Sequence, residues 1–195
     1  TVSRDDAIAA FEPHFPVIRK TIDDAFAEWR ATEAFRIESG YGPSFYDRTK
    51  SNDVFDAIAK RAIFRLRSEP GILVDVEAQT FKFAVKGIAA RFKKAGDDKL
   101  GRNIATQAVL AFVEADGELP GLGVFGKVEF VWFPNDLWTS IDRVLMVARD
   151  GDQLLWEYEI EGEAGSLVEL PVAPPPPDSG DLVKPKATPS KKTQD

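Results

Sequence analysis

Residues 140–160 constrain the fold most, because they predict a β-hairpin. Two apolar, β-prone runs flank Asp150 and Gly151, and glycine readily accepts the positive φ that a tight hairpin turn requires. Beyond the turn, every second residue is large and apolar: Leu154, Trp156, Tyr158 and Ile160. Side chains of a strand alternate between its faces, so this set is expected to share one face. The stretch therefore predicts a sheet with Trp156 in its core.

The first third of the chain predicts helices. Ser3 precedes two acidic residues, which is typical of an N-cap followed by the first helical turn, and this helix is expected to end before Pro13. A second helix is expected to begin near Pro16, because proline suits the first helical turn. A third helix is expected to follow a cap at Asn52 or Asp53.

The rest of the chain predicts strands and two short helices. Residues 72–76 and residues 81–85 alternate in the manner of strands. Residues 87–95 and residues 103–113 are interpreted as helices. Residues 127–133 predict a further strand that leads into the hairpin.

Length and composition indicate one domain followed by a tail. The chain has 195 residues, of which 44% are hydrophobic, and this is enough to form a sizeable core. The predicted fold class is α+β, with N-terminal helices packed on a small antiparallel sheet. The domain is expected to span residues 1–162, its helical part about 1–69 and its sheet-containing part about 71–162. Proline dominates residues 163–195, which predict a disordered, flexible tail.

Charge and cysteine content narrow the class of function. The net charge of −7 argues against general binding to nucleic acid through bulk charge. The chain contains no cysteine, which excludes disulfides, zinc–thiolate sites and cysteine nucleophiles and favours the cytoplasm. No apolar run approaches the length of a membrane span, and the N-terminal residues are polar, unlike a signal peptide. We therefore expect a cytoplasmic protein without direct contact to nucleic acid or membrane.

The sequence predicts no catalytic residue, metal site or cofactor. His14 is the only histidine, and no nucleophile motif lies near it. The adjacent carboxylates Asp23-Asp24 and Asp97-Asp98 do not face each other on a helix, so paired acid–base work is not expected from them. No acidic set has the spacing of metal ligands.

A basic set stands out in this acidic chain: Lys86, Arg91, Lys93, Lys94, Lys99 and Arg102. Two interpretations remain open. The set forms a solvated helix face, or it contacts an acidic partner or DNA phosphates close to that partner.

Two segments resemble the short peptides with which bacterial proteins bind the DNA polymerase sliding clamp. Those peptides have a glutamine, then a leucine, then a terminal phenylalanine or leucine. Residues 79–83 supply Gln79, Phe81 and Phe83, with Lys82 where leucine is usual. This segment is the first candidate for the clamp motif.

Residues 107–112 are the alternative clamp motif, with Gln107, Leu110 and Phe112 at hexapeptide spacing. In both segments the amide side chain donates and accepts hydrogen bonds and so fixes the register. Two large apolar side chains fill pockets, each contributing about 1.5–3 kcal/mol when fully buried. The alternative for both segments is ordinary packing within a sheet or a helix.

Binding to a groove requires an exposed segment that can be extended. A strand at the edge of a sheet meets this condition, whereas a helix buried against a sheet does not. We therefore prefer residues 79–83 as the motif, with Lys82 directed away from the groove toward solvent or an acidic rim.

A wider set of short stretches extends over residues 81–160. In chain order they are Phe92-Lys93-Lys94, Gly101-x-Asn103-Ile104-x-Thr106-Gln107-Ala108, Leu119-Pro120-Gly121-Leu122, Lys127-Val128-Glu129, Val147-Ala148-Arg149-Asp150-Gly151 and Leu155-Trp156. In this order the stretches resemble the SocB toxins of bacterial SocA–SocB toxin–antitoxin systems. The N-terminal helices and the proline-rich tail add nothing to the resemblance.

The resemblance implies a toxin that blocks DNA replication by occupying the sliding clamp. It also implies a cognate antitoxin that acts as a proteolytic adaptor and delivers the chain to an ATP-dependent protease. We therefore expect a non-enzymatic inhibitor of replication. The alternative is a generic protein-interaction or adaptor domain unrelated to replication, and a hydrolase that uses surface carboxylates is a more distant third class.

Overall fold

The computed structural model describes residues 2–76, 81–96, 98–101 and 126–162. The chain divides into two units, Thr1–Ala164 and Gly165–Asp195, and every described residue belongs to the first. The predicted tail and the predicted helix over residues 103–113 lie outside the described residues, so both stay predictions.

The N-terminal part is helical, as predicted. Its elements are α1 (Arg4–Phe11), a single 3₁₀ turn (Glu12–His14), α2 (Phe15–Glu38) and α3 (Asp47–Arg67). The side chain of Ser3 accepts a hydrogen bond from the backbone N–H of Asp6 at 3.2 Å, which confirms the predicted cap of α1. In the described part of the chain, no helix is long and apolar enough to cross a lipid bilayer.

Helix α3 begins earlier than predicted. It starts at Asp47 after Tyr46, whereas a cap at Asn52 or Asp53 was expected, and that expectation is wrong. The first buried residue of α3 is Val54. An apolar stripe marks only the part of a helix that packs against other elements, so the first turns left no such signal.

Six strands form one sheet: β1 (Ile72–Val76), β2 (Phe81–Val85), β3 (Ile88–Lys94), β4 (Gly126–Pro134), β5 (Ile141–Asp150) and β6 (Gln153–Glu159). The strands lie side by side in chain order. Neighbours are antiparallel except β3 and β4, which are parallel. The predicted α+β class with helices on a sheet is confirmed, and the sheet is mostly rather than wholly antiparallel.

Strand β3 corrects the predicted helix over residues 87–95. Lys86 and Gly87 both have positive φ, 48° and 77°, as expected for a tight two-residue hairpin turn between β2 and β3. Ile88 and Phe92 face the helices, while Ala89 is buried on the opposite face. Because both faces of β3 are covered, its sequence lacks the polar alternation that reveals a half-exposed strand.

The three helices cover one face of the sheet, and the main core lies between them. Phe83 of β2 is fully buried at the centre of this core. Its ring centroid lies 5.4–6.4 Å from the rings of Phe11, Phe81, Phe92 and Phe130. These contacts join α1 to three neighbouring strands, so the aromatic cluster holds the helical layer on the sheet.

The predicted hairpin is formed by β5 and β6, with one change of face. Trp156 pairs with Ala148, but Leu154 pairs with Arg149, so Leu155 is an extra residue on β6. This bulge turns Leu154 to the second face of the sheet, where a smaller apolar cluster lies. Trp156 packs against the main core as predicted, although it is only partly buried.

Trp138 lies in the turn between β4 and β5 and connects this turn to the helices. Its backbone has φ +54°, a conformation that a bulky residue adopts only when its surroundings hold it there. Its ring centroid lies 5.3 Å from that of Trp29 and 6.1 Å from that of Trp132. The ammonium groups of Lys50 and Lys94 lie 5.3 Å and 5.5 Å from its ring centroid.

Replacing Phe83 with alanine should lower the free energy of unfolding by about 3–5 kcal/mol, because it leaves a cavity among four aromatic rings. Urea unfolding followed by tryptophan fluorescence measures this change. Leu73→Ala is the control on the neighbouring edge strand, where the side chain is 59% exposed, and should change stability by less than about 0.5 kcal/mol. Equal losses for both variants would contradict the central position of Phe83.

Candidate functional site

The first clamp motif lies in an inner strand. Strand β2 pairs with β1 on one side and β3 on the other, so the expectation that this segment forms a sheet edge is wrong. Phe81 and Phe83 are 1% and 0% exposed, and Lys82 is 9% exposed rather than open to solvent. The cause is strand β3, which was expected to be a helix and which pairs with the side of β2 that β1 leaves open. Gln79 lies outside the described residues.

The burial of Phe81 and Phe83 bears on their use as anchors for a groove. Removing one phenylalanine side chain from a core costs about 3–5 kcal/mol. Burying the same side chain in a pocket of a partner contributes about 1.5–3 kcal/mol. For these two side chains the packing energy in the folded domain therefore exceeds the energy of docking.

The second clamp motif, with Gln107, Leu110 and Phe112, lies outside the described residues. Its role stays a prediction.

His14 is buried at the junction of α1 and α2. Its Nδ1 lies 3.8 Å from the Glu69 carboxylate and makes no hydrogen bond. Pro13 and Phe15 flank it in the chain. This environment is that of a packed side chain near the end of α3.

The adjacent carboxylates Asp23 and Asp24 form separate ion pairs on α2. Asp23 accepts a hydrogen bond from Arg19 one turn earlier at 2.9 Å. Asp24 accepts one from Arg65 of α3 at 2.5 Å. Burial raises the pKa of Asp24, but hydrogen bonds from Arg65 and Lys20 outweigh burial and hold it below its ordinary value. Both carboxylates therefore act as charged partners of helix cations.

The second face of the sheet holds a buried polar cluster around Glu129 of β4. Glu129 lies directly beside Arg91 in the parallel β3–β4 pair. The Arg91 Nε donates to Glu129 Oε1 at 2.9 Å, and Arg91 Nη2 donates to the same oxygen. The two side chains are only 5% and 2% exposed. Burial lowers the pKa of the Arg91 guanidinium, while the neighbouring carboxylate opposes that shift.

Gly101 and Arg149 complete the cluster. The backbone N–H of Gly101 donates to Glu129 Oε2 at 3.4 Å. Arg149 Nη1 lies 3.9 Å from Glu129 Oε1 and donates to the carbonyl of Gly101 at 3.5 Å. Its Nη2 also donates to Asp152 at 3.0 Å. Both carboxylate oxygens of Glu129 thus have donors, so this carboxylate organises the cluster rather than serving as a free base.

Lys93 lies next to this cluster, two residues after Arg91 on the same face of β3. A Cβ atom at Gly101 would lie 2.5 Å from the Lys93 Cβ, so only glycine permits this close approach. Burial, reinforced by Arg91 and Arg149 and opposed by Glu129, lowers the pKa of the Lys93 amine from 10.5 to about 8. Part of the Lys93 population is therefore uncharged at mildly alkaline pH.

The basic set does not form a helix face, so that interpretation is wrong. Lys86 lies in a turn, and Arg91, Lys93 and Lys94 lie in β3. Lys99 binds Glu157 of β6 through two contacts of 2.8 Å. Arg102 lies outside the described residues. The face opposite the helices therefore carries part of the set, and whether it contacts an acidic partner stays a prediction.

Sequence reasoning missed the pairing of Arg91 with Glu129. The two residues are 38 positions apart. They lie in the parallel strands β3 and β4, whose pairing no local sequence pattern indicates. The available signal was Glu129 itself, a charged residue within the apolar stretch over residues 128–133. A buried charge needs a partner, so this position indicated a cation nearby.

Comparison with known proteins gave no match. A scan against protein-family models, a search of curated proteins and a search of solved structures each found nothing similar to this chain.

Replacing Glu129 with glutamine should destabilise the domain by about 3–5 kcal/mol, because it removes the carboxylate charge that pairs with the buried Arg91 guanidinium. Chemical unfolding at neutral pH measures the loss. Glu157→Gln is the matched control, since its carboxylate pairs with Lys99 at a half-exposed site and should cost less than about 1 kcal/mol. An effect of Glu157→Gln as large as that of Glu129→Gln would contradict this role of Glu129.

Replacing Lys93 with methionine should stabilise the domain at neutral pH by about 1–3 kcal/mol, because the native state no longer holds a half-buried charge. The pKa of the Lys93 amine is about 8 in the folded protein and 10.5 ordinarily. Between these two pH values the unfolded chain binds more protons than the folded protein. Wild-type stability therefore rises with pH across this window relative to the variant, and the difference shrinks. Unfolding curves of both proteins at several pH values measure it, and a constant difference would contradict the lowered pKa.

Proposed function

We propose that this chain is the toxin of a bacterial toxin–antitoxin system and inhibits DNA replication by binding the polymerase sliding clamp. The proposal starts from the resemblance to SocB toxins, which is spread over separate short stretches. One observation carries it further: stretches that are far apart in the chain converge in space.

The convergence centres on Glu129, which belongs to one resembling stretch. Gly101 from a second stretch donates to Glu129 and packs on Lys93 from a third. Arg149 from a fourth stretch binds the carbonyl of Gly101. These four stretches lie on or beside the neighbouring strands β3, β4 and β5 and build one unit. The resemblance therefore includes residues that the fold uses together.

Under this proposal, residues 107–112 bind the clamp. Phe81 and Phe83 are already core side chains, so their use as anchors would compete with folding. Gln107 would set the register in the groove, and Leu110 and Phe112 would fill its apolar pockets. Residues 107–112 therefore replace residues 79–83 as the preferred motif, because residues 79–83 were preferred only as a segment at the edge of the sheet.

The remaining partners follow from the same proposal. A cognate antitoxin would act as a proteolytic adaptor and deliver the chain to an ATP-dependent protease. The site of action would be the cytoplasm, where the clamp works. Direct binding to nucleic acid is not part of the proposal, because the net charge of −7 repels phosphates.

The test is binding of the purified full chain to purified bacterial sliding clamp, measured by surface plasmon resonance. Gln107→Ala with Phe112→Ala should weaken binding by tenfold or more, since a few anchors carry about 1–4 kcal/mol each in such contacts. The same variant should relieve the block in DNA synthesis when the chain is expressed in bacteria. Gln79→Ala is the matched control and should leave both readouts unchanged.

Unfolding curves of each variant separate loss of binding from loss of fold. The single variant Gln107→Ala keeps both apolar anchors and serves if the double variant is unstable. Loss of binding with Gln79→Ala alone would show that residues 79–83 form the motif. Failure of the wild-type chain to bind the clamp would overturn the proposal and favour a protein-interaction domain unrelated to replication.

A further inference from the structure

Helices α2 and α3 extend beyond the part that packs on the sheet. The last buried residue of α2 is Trp29, although the helix continues to Glu38. The first buried residue of α3 is Val54, although the helix begins at Asp47. At 1.5 Å per residue, the unburied end of α2 projects by about 13 Å.

The loop that joins the two helices is held in a defined conformation. The Glu33 carboxylate accepts hydrogen bonds from the Ser44 backbone N–H at 2.5 Å and the Ser44 hydroxyl at 2.9 Å. The backbone N–H of Tyr41 donates to the carbonyl of Arg36 at 3.0 Å. Ser44 is buried as a result. The loop therefore presents its outward side chains from a fixed backbone.

Large apolar side chains are exposed at this end of the domain. We call the following set the apolar tip: Ile37 (53% exposed), Tyr41 (78%), Phe45 (86%), Tyr46 (64%) and Leu137 (81%). The rings of Phe45 and Tyr46 contact each other edge to face at 5.0 Å. The turn that carries Leu137 is joined to α2, because Arg30 donates to the carbonyl of Thr139 at 2.6 Å.

The apolar tip is large enough to form most of one side of a standard interface. Its side chains expose on the order of 600 Å², since a large aromatic side chain presents roughly 150–250 Å². One partner of a standard protein–protein interface contributes about 800 Å². This area is at the upper end of what a typical monomer exposes in one patch, and patches of that size often serve binding.

Charge indicates which partner fits. Residues 30–53 carry four cations and four anions: Arg30, Arg36, Arg48, Lys50, Glu33, Glu38, Asp47 and Asp53. Their net charge is zero, and Asp136 beside Leu137 adds one negative charge, so most of the charge of −7 lies elsewhere in the chain. Two copies can approach through this nearly neutral end with little of the repulsion that a strongly acidic surface would impose. Each copy also offers charges of both signs, so this surface can complement a second copy of itself in a two-fold contact.

We infer that the apolar tip is the interface between two copies of this chain. Phe45 and Tyr46, whose rings contact each other, are its aromatic anchors, and the mixed charges of α2 and α3 form its polar rim. This inference concerns a surface separate from residues 107–112 and does not depend on clamp binding.

The test is sedimentation velocity of the full chain at increasing protein concentration. The wild-type chain should change from one copy to two copies as concentration rises. Phe45→Ser with Tyr46→Ser should raise the dissociation constant by tenfold or more, as expected for loss of central aromatic anchors. Phe64→Ser is the matched control, because Phe64 is 78% exposed on α3 and lies outside the tip; it should leave the dissociation constant unchanged.

Circular dichroism of each variant shows that its fold is retained, and Tyr46→Ser alone serves if the double variant is unstable. A single-copy mass for the wild-type chain at every concentration would overturn the inference. Equal weakening by Phe64→Ser would also overturn it. The chain could also remain a single copy and bind the clamp or an antitoxin through the apolar tip. That outcome would overturn the inference, because the surface would then bind a different protein.

Discussion

Contacts among phenylalanine rings hold the helical layer to the sheet, and most other features depend on them. Phe83 contacts Phe11 of α1 and the rings of Phe81, Phe92 and Phe130 on three strands. Each such side chain removes a large apolar area from water. The same packing explains the first clamp motif, residues 79–83. Phe81 and Phe83 have the spacing of a docking peptide because both are core side chains on one face of β2.

The opposite face of the sheet depends on one carboxylate. Glu129 lies beside Arg91 in the parallel pair of strands and also accepts a hydrogen bond from Gly101. A shift of the pairing by one residue would place Arg91 beside an apolar side chain that faces the helices, because side chains alternate along each strand. A buried ion pair adds little net stability over an apolar pair. Its physical effect here is to distinguish the correct register from its neighbours.

Local signals made part of the fold predictable. The Asp150-Gly151 turn and the Ser3 cap act within a few residues, and both features are present in the structure. Strand β3 was missed because burial on both faces removes the polar alternation that marks a strand. The inner position of β2 follows from its pairing with β3, the strand that was missed. Glu129 and its partner Arg91 are 38 positions apart, so no local signal connects them. The apolar tip could not be predicted, because aromatic residues in a sequence normally indicate a core. Only the structure shows that Phe45 and Tyr46 are exposed.

The position of Trp138 has an optical consequence. Three of the four tryptophans, Trp29, Trp132 and Trp138, lie in one corner with ring centroids 5.3–6.1 Å from that of Trp138. Rings at such separations are expected to exchange excitation energy, and the Lys50 and Lys94 ammonium groups near the Trp138 ring are expected to shift its emission. Lys50 belongs to the first turn of α3, next to the loop that presents Phe45 and Tyr46. The intrinsic fluorescence of these three tryptophans is therefore expected to change, without any label, when the projecting end of the helices changes.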